Sequence, residues 1–154
     1  GYGWDGDVAN GGFEEVAPFG GYGWRYSTSA GVDRVTNATD AFEGNAFLRL
    51  SDTGRVHQPN PATNGQTVTV TLWARGATEG DILRMTIDFR NQKMWSSPLS
   101  GDIHVAEIGT DWTQVTFAVD APVTTNDPIF HTRLTLIAGA GSTVDIDGIT
   151  MTTN

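Results

Sequence analysis

Apolar and polar residues alternate along several stretches of the chain with the two-residue period that is typical of β-strands. In residues 67–74, for example, Val68, Val70 and Leu72 alternate with threonines. Further strands are predicted at residues 46–50, 55–58, 83–90, 114–120, 131–138 and 143–152. Most of these strands have one apolar face for a core and one polar face for solvent.

The last predicted strand changes phase along its length. Val144 and Ile146 are in phase with each other, but Ile149 and Met151 are displaced by one position, which indicates a β-bulge at Asp147-Gly148. Loops rich in Gly, Asn, Asp and Pro separate the strands, and the chain's 19 glycines disfavour helices. The pattern predicts an all-β fold, a two-sheet antiparallel β-sandwich of the jelly-roll type.

The length of 154 residues suits one domain with a single core. Residues 1–9 are rich in Gly and Asp and are predicted to form a linker or N-terminal extension. The module itself is expected to span residues 10–154 and to begin with an element at residues 10–16. The chain starts at Gly1 without a basic or apolar leader, which is typical of a mature or excised segment.

Composition narrows the classes of partner and of chemistry. The formal net charge of −9 disfavours nucleic acid and anionic membranes as partners, and no stretch approaches the length of a transmembrane helix. The absence of cysteine excludes thiol nucleophiles and zinc–thiolate sites, and His57, His104 and His131 have no recognisable triad context. No pair of carboxylates is singled out for glycosidase chemistry. We therefore predict no catalytic residues and expect that the protein is not an enzyme.

One tryptophan falls on a polar strand face. Trp73 is in phase with Thr69 and Thr71, so it points away from the core side of its strand. A large ring on a solvated sheet is more often a contact surface than an accident, and sugar rings stack on such a platform. The alternative is that a loop covers Trp73 and makes it part of a core. Trp24 and Trp112 are interpreted as core residues.

Four segments follow one another in order over residues 10–151. They are Asn-Gly-Gly-Phe-Glu at 10–14, Glu-Gly-Asn-Ala-Phe-Leu-Arg-Leu at 43–50, Val-Thr-Leu-Trp-Ala-Arg at 70–75 and Val-Asp-Ile-Asp-Gly-Ile at 144–149. Together they resemble the carbohydrate-binding modules of families 4, 16 and 22. The resemblance implies a β-sandwich with a structural calcium near the chain termini, a glycan cleft across one sheet with an aromatic residue at the position of Trp73, and an appended polysaccharide-active enzyme.

The resemblance also implies a set of calcium ligands. Glu14 and Asp147 would supply side-chain oxygens, and Gly12, Glu43 and Ala46 would supply backbone carbonyls, which are the hard donors that calcium prefers. The family's second Asp after Ile-Asp is Gly148 here, while the ligand position Asp147 is kept. The alternative is that Glu14 and Asp147 are solvated carboxylates at strand ends. The calcium would be structural and not catalytic.

Polar residues in phase with Trp73 on other strands are predicted to complete the cleft, because planar and bidentate donors suit sugar hydroxyls and carboxylates. They are Arg84, Asp88, Arg90, Gln114 and Arg133, with His57 and His131 at the rim and Trp95 over one end. Several arginines on one face of an acidic protein point to an anionic glycan such as a uronate polymer. The alternative is that these arginines pair with Asp88 on a solvated sheet face that has no binding function.

These observations predict a secreted or bacterial cell-surface module. It would bind internal stretches of a soluble or amorphous polysaccharide (β-glucan, xylan, mannan or a uronate polymer) and target a catalytic domain in the same chain. We expect it to be a monomer. The alternatives are a structural or adhesive surface β-sandwich without a glycan cleft, and a small polysaccharide lyase or hydrolase on the same scaffold.

Overall fold

We describe the fold from a computed structural model, over residues 7–15, 23–91, 98–124, 129 and 131–154. Within these residues nine β-strands form two antiparallel sheets, and no helix there is long and apolar enough to cross a membrane. The strands are β1 (Val32–Thr36), β2 (Ala46–Ser51), β3 (Arg55–Pro61), β4 (Thr67–Gly76), β5 (Asp81–Arg90), β6 (Ser100–Ile108), β7 (Thr113–Asp120), β8 (His131–Ala138) and β9 (Thr143–Thr153). One sheet has the order β1-β2-β9-β4-β7 and the other β3-β8-β5-β6. The predicted two-sheet antiparallel β-sandwich is confirmed.

The core lies between the two sheets and is built from the alternate apolar residues of the strands. Val68, Val70 and Leu72 of β4 are completely buried, as the alternation predicts. Burying one such side chain stabilises the fold by about 1.5 to 3 kcal/mol. Trp24 belongs to this core, as predicted, and its ring lies 5.6 Å from the ring of Phe13.

Strands β1 and β6 are present although the sequence pattern did not predict them. Ile103 and Val105 of β6 are 58% and 52% exposed, so this edge strand carries two large apolar residues on its outer side, while Ile108 at its end is buried in the core. His104, on the opposite side of β6, stacks on Phe117 of β7 with 5.3 Å between ring centroids. The regular element expected at residues 10–16 is not found, because its described part, up to residue 15, forms turns.

The predicted β-bulge in β9 is confirmed by the register of the sheet. Thr71 pairs with Thr150 and Trp73 pairs with Asp147, so two residues of β9 lie opposite the single residue between Thr71 and Trp73. Gly148 adopts a φ of 57°, a left-handed conformation that costs glycine little. The extra residue lets both halves of β9 direct their apolar side chains into the core.

Residues 7–9 of the predicted linker contact the sandwich. Asp7 accepts a hydrogen bond from the backbone N–H of Met151 at 2.7 Å. The amide of Gln58, itself completely buried, accepts a hydrogen bond from the backbone of Ala9 at 2.7 Å and donates one back at 3.0 Å. These bonds fix residues 7–9 on the domain.

Candidate functional site

The structure divides the predicted carbohydrate-binding residues between two surfaces. Trp73 and Gln114 lie directly opposite each other on β4 and β7, on the outer side of the five-stranded sheet. The remaining described members lie on the four-stranded sheet, namely His57, Arg84, Asp88, Arg90, His131 and Arg133. The prediction of one shared face is wrong, because consecutive strands β4 and β5 belong to opposite sheets. Trp95 falls outside the described residues.

The outer side of the four-stranded sheet, here called the four-stranded face, carries its side chains in rows set by strand register. Read from β3 to β6, three of these rows are Arg55-Ile137-Arg84-Val105, His57-Thr135-Thr86-Ile103 and Pro59-Arg133-Asp88-Gly101. An isolated antiparallel bridge places Arg25 beside His57 and extends the middle row. Arg25 and Arg55 were not among the predicted site residues, although Arg55 is in phase with His57 on the same strand.

A buried ion cluster occupies one end of this face. Arg90 donates from Nε to Asp88 Oδ1 at 2.9 Å, and the Nε of Arg133 lies 3.5 Å from Asp88 Oδ2. Asp88 and Arg90 are only 5% and 3% exposed, so the prediction that they lie on a solvated surface is wrong. Asp88 pairs with both guanidiniums. The structure therefore has the arrangement that was considered as the alternative in the sequence analysis, in which arginines of this face pair with Asp88. Asp88 thereby fixes the position of the more exposed Arg133.

The two histidines of this face differ in accessibility. His131 is 2% exposed, so it lies below the surface and not at a rim as predicted. His57 is half-buried in the middle row. Burial, followed by the charges of Arg133, Arg25 and Arg90, lowers the pKa of His57 to about 4. At neutral pH the imidazole of His57 is therefore uncharged and can both donate and accept a hydrogen bond.

The other end of the four-stranded face is open. Arg55 and Arg84 are exposed, and neither forms a salt bridge with any residue that the structure describes. Ile103 and Val105 of β6 lie beside them as exposed apolar side chains. This end therefore combines planar hydrogen-bond donors with an apolar surface, which are the two features that sugar recognition needs. Ile103 and Val105 were missed from the sequence, because β6 was not predicted as a strand.

The outer side of the five-stranded sheet carries the aromatic residues. The ring of Trp73 is half-buried and stacks on Phe42, with 4.1 Å between centroids and 15° between planes. Trp112 was predicted to lie in the core, but it is half-buried on this outer side. It packs edge-to-face on Phe47 at 5.9 Å and over the guanidinium of Arg75 at 4.7 Å. The phase argument for Trp73 holds, and the loop residue Phe42 covers part of its ring.

The arginines on that side are paired with carboxylates. Arg49 and Arg75 both donate to Asp145, at 2.8 and 3.0 Å, and Arg75 also reaches Asp40 at 3.4 Å. These four residues line a shallow depression of about 610 Å³. Their charges compensate each other, in contrast to Arg55 and Arg84 on the four-stranded face.

The predicted calcium ligands converge at one place. Glu14 accepts hydrogen bonds from the backbone N–H groups of Asn45 and Ala46, at 2.8 and 2.9 Å. Asp147 accepts one from the N–H of Glu43 at 3.1 Å. A Cβ added to Gly12 would lie 3.7 Å from Glu43 Oε1 and 3.9 Å from Asp147 Oδ1, so these carboxylates surround the glycine. The side chain of Glu43 was not predicted to take part.

Three carboxylates close together are electrostatically unfavourable by themselves, and one of them, Asp147, is completely buried, whereas Glu14 and Glu43 are exposed. Burial is the main reason that the pKa of Asp147 is raised to about 6, and the charges of Glu43 and Glu14 add to it, while hydrogen bonds from backbone N–H groups oppose it. Among the described residues no three acidic or histidine side chains are grouped closely enough to hold a metal alone. A cation would therefore need backbone carbonyls as well. Carboxylates plus carbonyls fit calcium in donor type.

Comparison with known proteins identifies solved structures that share this fold. In sequence comparisons no protein-family model and no curated protein matches the chain. Among solved structures, a family 61 module in complex with β-1,4-galactotriose has 15% identity and a TM-score of 0.62, over 96% of this chain and 97% of that one. A family 22 xylan-binding domain of Xyn10C from Paenibacillus barcinonensis has 12% identity and a TM-score of 0.62, over 92% and 90%.

A third structure places the same fold inside a longer enzyme. Xylanase 10B of Clostridium thermocellum was solved with its family 22 and catalytic modules. The match covers 97% of the present chain and 28% of the xylanase chain, with 10% identity and a TM-score of 0.66. Modules of families 4 and 16 share the fold as well. The chain therefore has the β-sandwich fold of carbohydrate-binding modules of the family 4, 16 and 22 type.

Proposed function

We propose that this chain is a non-catalytic module that binds polysaccharide on the four-stranded face. The observation that carries the proposal is the open end of that face, where exposed Arg55 and Arg84 share a row with Val105 and Ile103 lies in the next row. Guanidinium groups bind hydroxyl and carboxyl oxygens in a planar fork, and aliphatic side chains pack against the C–H surface of a sugar ring. The carbohydrate-binding modules that share the fold support the same class of function.

The binding surface is a sheet face and not a closed pocket, which suits internal stretches of a soluble or amorphous chain. The module would hold an appended polysaccharide-active domain close to its substrate, on a secreted or cell-surface protein. The arrangement of the family 22 module within the xylanase chain supports this part of the proposal.

Calcium would stabilise the fold at the carboxylate cluster. Glu14, Glu43 and Asp147 would supply side-chain oxygens, and Gly12 and Ala46 would supply carbonyls. These residues belong to the N-terminal turns, the segment before β2, and β9. When bound, the ion would neutralise the carboxylates and link these three parts of the chain.

A matched pair of threonine variants tests which face binds. Thr86 is central on the four-stranded face, between Thr135 and Ile103, and Thr71 is central on the opposite outer side, beside Thr116. Both are half-buried. Migration in native gels containing dissolved polysaccharides would be compared for Thr86→Glu and Thr71→Glu. We expect Thr86→Glu to abolish retardation and Thr71→Glu to leave it unchanged.

The opposite pattern would move the binding site to the side that carries Trp73 and Gln114. That side is the second candidate because the half-buried ring of Trp73 stacks on the solvent-facing Phe42. Absence of retardation of the unmodified protein by every polysaccharide would contradict the proposed function itself.

A further inference from the structure

The distribution of charge over the sandwich is strongly uneven. Of the chain's nine basic residues, five lie on the four-stranded face, namely Arg25, Arg55, Arg84, Arg90 and Arg133. Of the 18 acidic residues, the described ones on this face are Asp88 and Glu107. Counted over the described residues, this face is thus basic in a protein whose net charge is −9.

The acids on this face do not cancel its positive charge. Asp88 is buried and already shared between Arg90 and Arg133. Glu107 pairs in register with Ile82, in the row next to that of Arg55 and Arg84, and it forms no salt bridge with a described arginine. Burial lowers the pKa of Arg133 first, and the charges of Arg90 and Arg55 lower it further against the attraction of Asp88. The arginines therefore repel one another across the sheet.

Arg55 and Arg84 define where a ligand's charge would lie. They belong to one row and are separated by Ile137 of β8, so their backbones are roughly 10 Å apart at the usual spacing of paired strands. Both are exposed and without a salt bridge to a described residue. An exposed arginine without a carboxylate partner is suited to a bidentate contact with a ligand anion.

We infer that the ligand of the four-stranded face is an acidic polysaccharide, whose sugar units carry carboxylate or sulfate groups. This inference rests on the proposed function and adds the chemical class of the ligand. A negative polymer is repelled by the overall charge of this acidic protein and attracted at the four-stranded face, so charge also favours binding there. Ile103 and Val105 would contact the sugar rings while Arg55 and Arg84 contact the acidic groups.

The test compares polymers that share a backbone and differ in charge. Binding of the full chain would be measured by native affinity electrophoresis with polygalacturonate and its methyl-esterified form, together with alginate, dextran sulfate, neutral dextran, xylan and β-glucan. We expect retardation by acidic polymers only, with affinity falling at least tenfold between 50 and 500 mM salt, on the order expected when screening shortens to a few ångströms. Carboxylated and sulfated polymers show which anion the face prefers.

Variants connect the charge preference to this face. Arg55→Gln/Arg84→Gln should lower affinity for the acidic polymer about tenfold or more, an expectation for two lost charge-assisted contacts. Arg49→Gln removes a half-exposed arginine from the other side of the sandwich, where Arg75 still pairs with Asp145, and should leave affinity unchanged. Unfolding curves of all three proteins establish that they are folded.

Three results would overturn the inference. Equal retention by polygalacturonate and its ester, or retention by neutral polymers alone, would show a ligand recognised without charge and would leave the proposed function intact. Retention by single-stranded DNA, run beside the polysaccharides, and by no polysaccharide would show a different polyanion and would overturn the proposed function as well. Retention by no polymer at all would overturn the proposed function together with the inference.

Discussion

Arg90 and Asp88 form an ion pair of 2.9 Å on the outer side of a sheet, yet their side chains are only 4% and 7% exposed. Arg133 shares the same carboxylate at 3.5 Å. Burying charge is costly unless the charges are paired, so the three residues depend on one another. The cluster therefore serves mainly to hold the basic end of the four-stranded face in one arrangement.

Replacing Asp88 is expected to destabilise the fold. Asp88→Asn would leave Arg90 and Arg133 without their shared carboxylate, and the loss in free energy of unfolding should be about 3 kcal/mol. Urea denaturation followed by tryptophan fluorescence measures it. The exposed Asp111→Asn is the control and should change stability by less than about 0.5 kcal/mol. An equal effect of both substitutions would contradict a structural role for the cluster.

Exposed and buried isoleucines should separate binding from folding. Ile103 is 58% exposed on the four-stranded face, whereas Ile87 of the neighbouring β5 is completely buried. Ile103→Ala should weaken polysaccharide binding and change stability by less than about 0.5 kcal/mol. Ile87→Ala should lower stability by about 3 kcal/mol. If Ile103→Ala leaves binding unaltered in affinity electrophoresis, β6 takes no part in the site.

His57 should make the fold less stable in acid. Its pKa is lowered from 6.5 to about 4, because burial and the charges of Arg133, Arg25 and Arg90 disfavour the imidazolium, and Asp88 opposes them only in part. Well above pH 6.5 the side chain is neutral in both states, so it does not make the free energy of unfolding depend on pH. Between pH 6.5 and 4 His57 is protonated in the unfolded chain but not in the folded chain. The free energy of unfolding therefore decreases as the pH is lowered through this range.

The measurement is the free energy of unfolding against pH for the wild type and His57→Gln. The difference between the two proteins should be constant above pH 7 and should shift in favour of the variant as pH falls to about 4. Parallel profiles over this window would mean that His57 is accessible enough to take up a proton without penalty. Comparing two proteins removes the contribution of every group they share.

Calcium should raise the melting temperature through the carboxylate cluster. An ion present at a hundredfold excess over its dissociation constant stabilises a domain by about 2.7 kcal/mol, which corresponds to about 5 to 10 °C here. Differential scanning calorimetry with calcium and with a chelator measures the shift. Asp147→Asn should remove the response, and Asp111→Asn should keep it. Identical melts of the wild type in both buffers would count against a metal at this position.

The local sequence pattern predicted most of the fold because most strands have one solvent-facing side and one side buried in the core. The alternation in β4 gave both the strand and the outward direction of Trp73. β6 was missed because two of its apolar residues, Ile103 and Val105, lie on the outer side, whereas Ala106 and Ile108 contact the core, so its pattern does not follow burial. Its position at the edge of the sheet permits this.

The site was harder to predict than the fold, because a binding surface depends on which strands are neighbours. Trp73 and Arg84 are both outward-facing residues, but one lies in each sheet, and nothing in the alternation of either strand reports sheet membership. Likewise, the burial of Asp88 and Arg90 depends on parts of the chain that are distant in sequence. The pairing of His57 with Arg25 is an equally long-range feature.

The bulge at Gly148 has a consequence for how β9 tolerates change in length. Ile146 precedes it and Met151 follows it, and both point inward only because one additional residue separates the two halves of the strand. Deleting Gly148 would restore a strict two-residue period and so rotate the terminal segment by half a turn, exposing Met151 to water and burying threonines in its place. A single missing residue would thus exchange the inward and outward side chains over the end of β9.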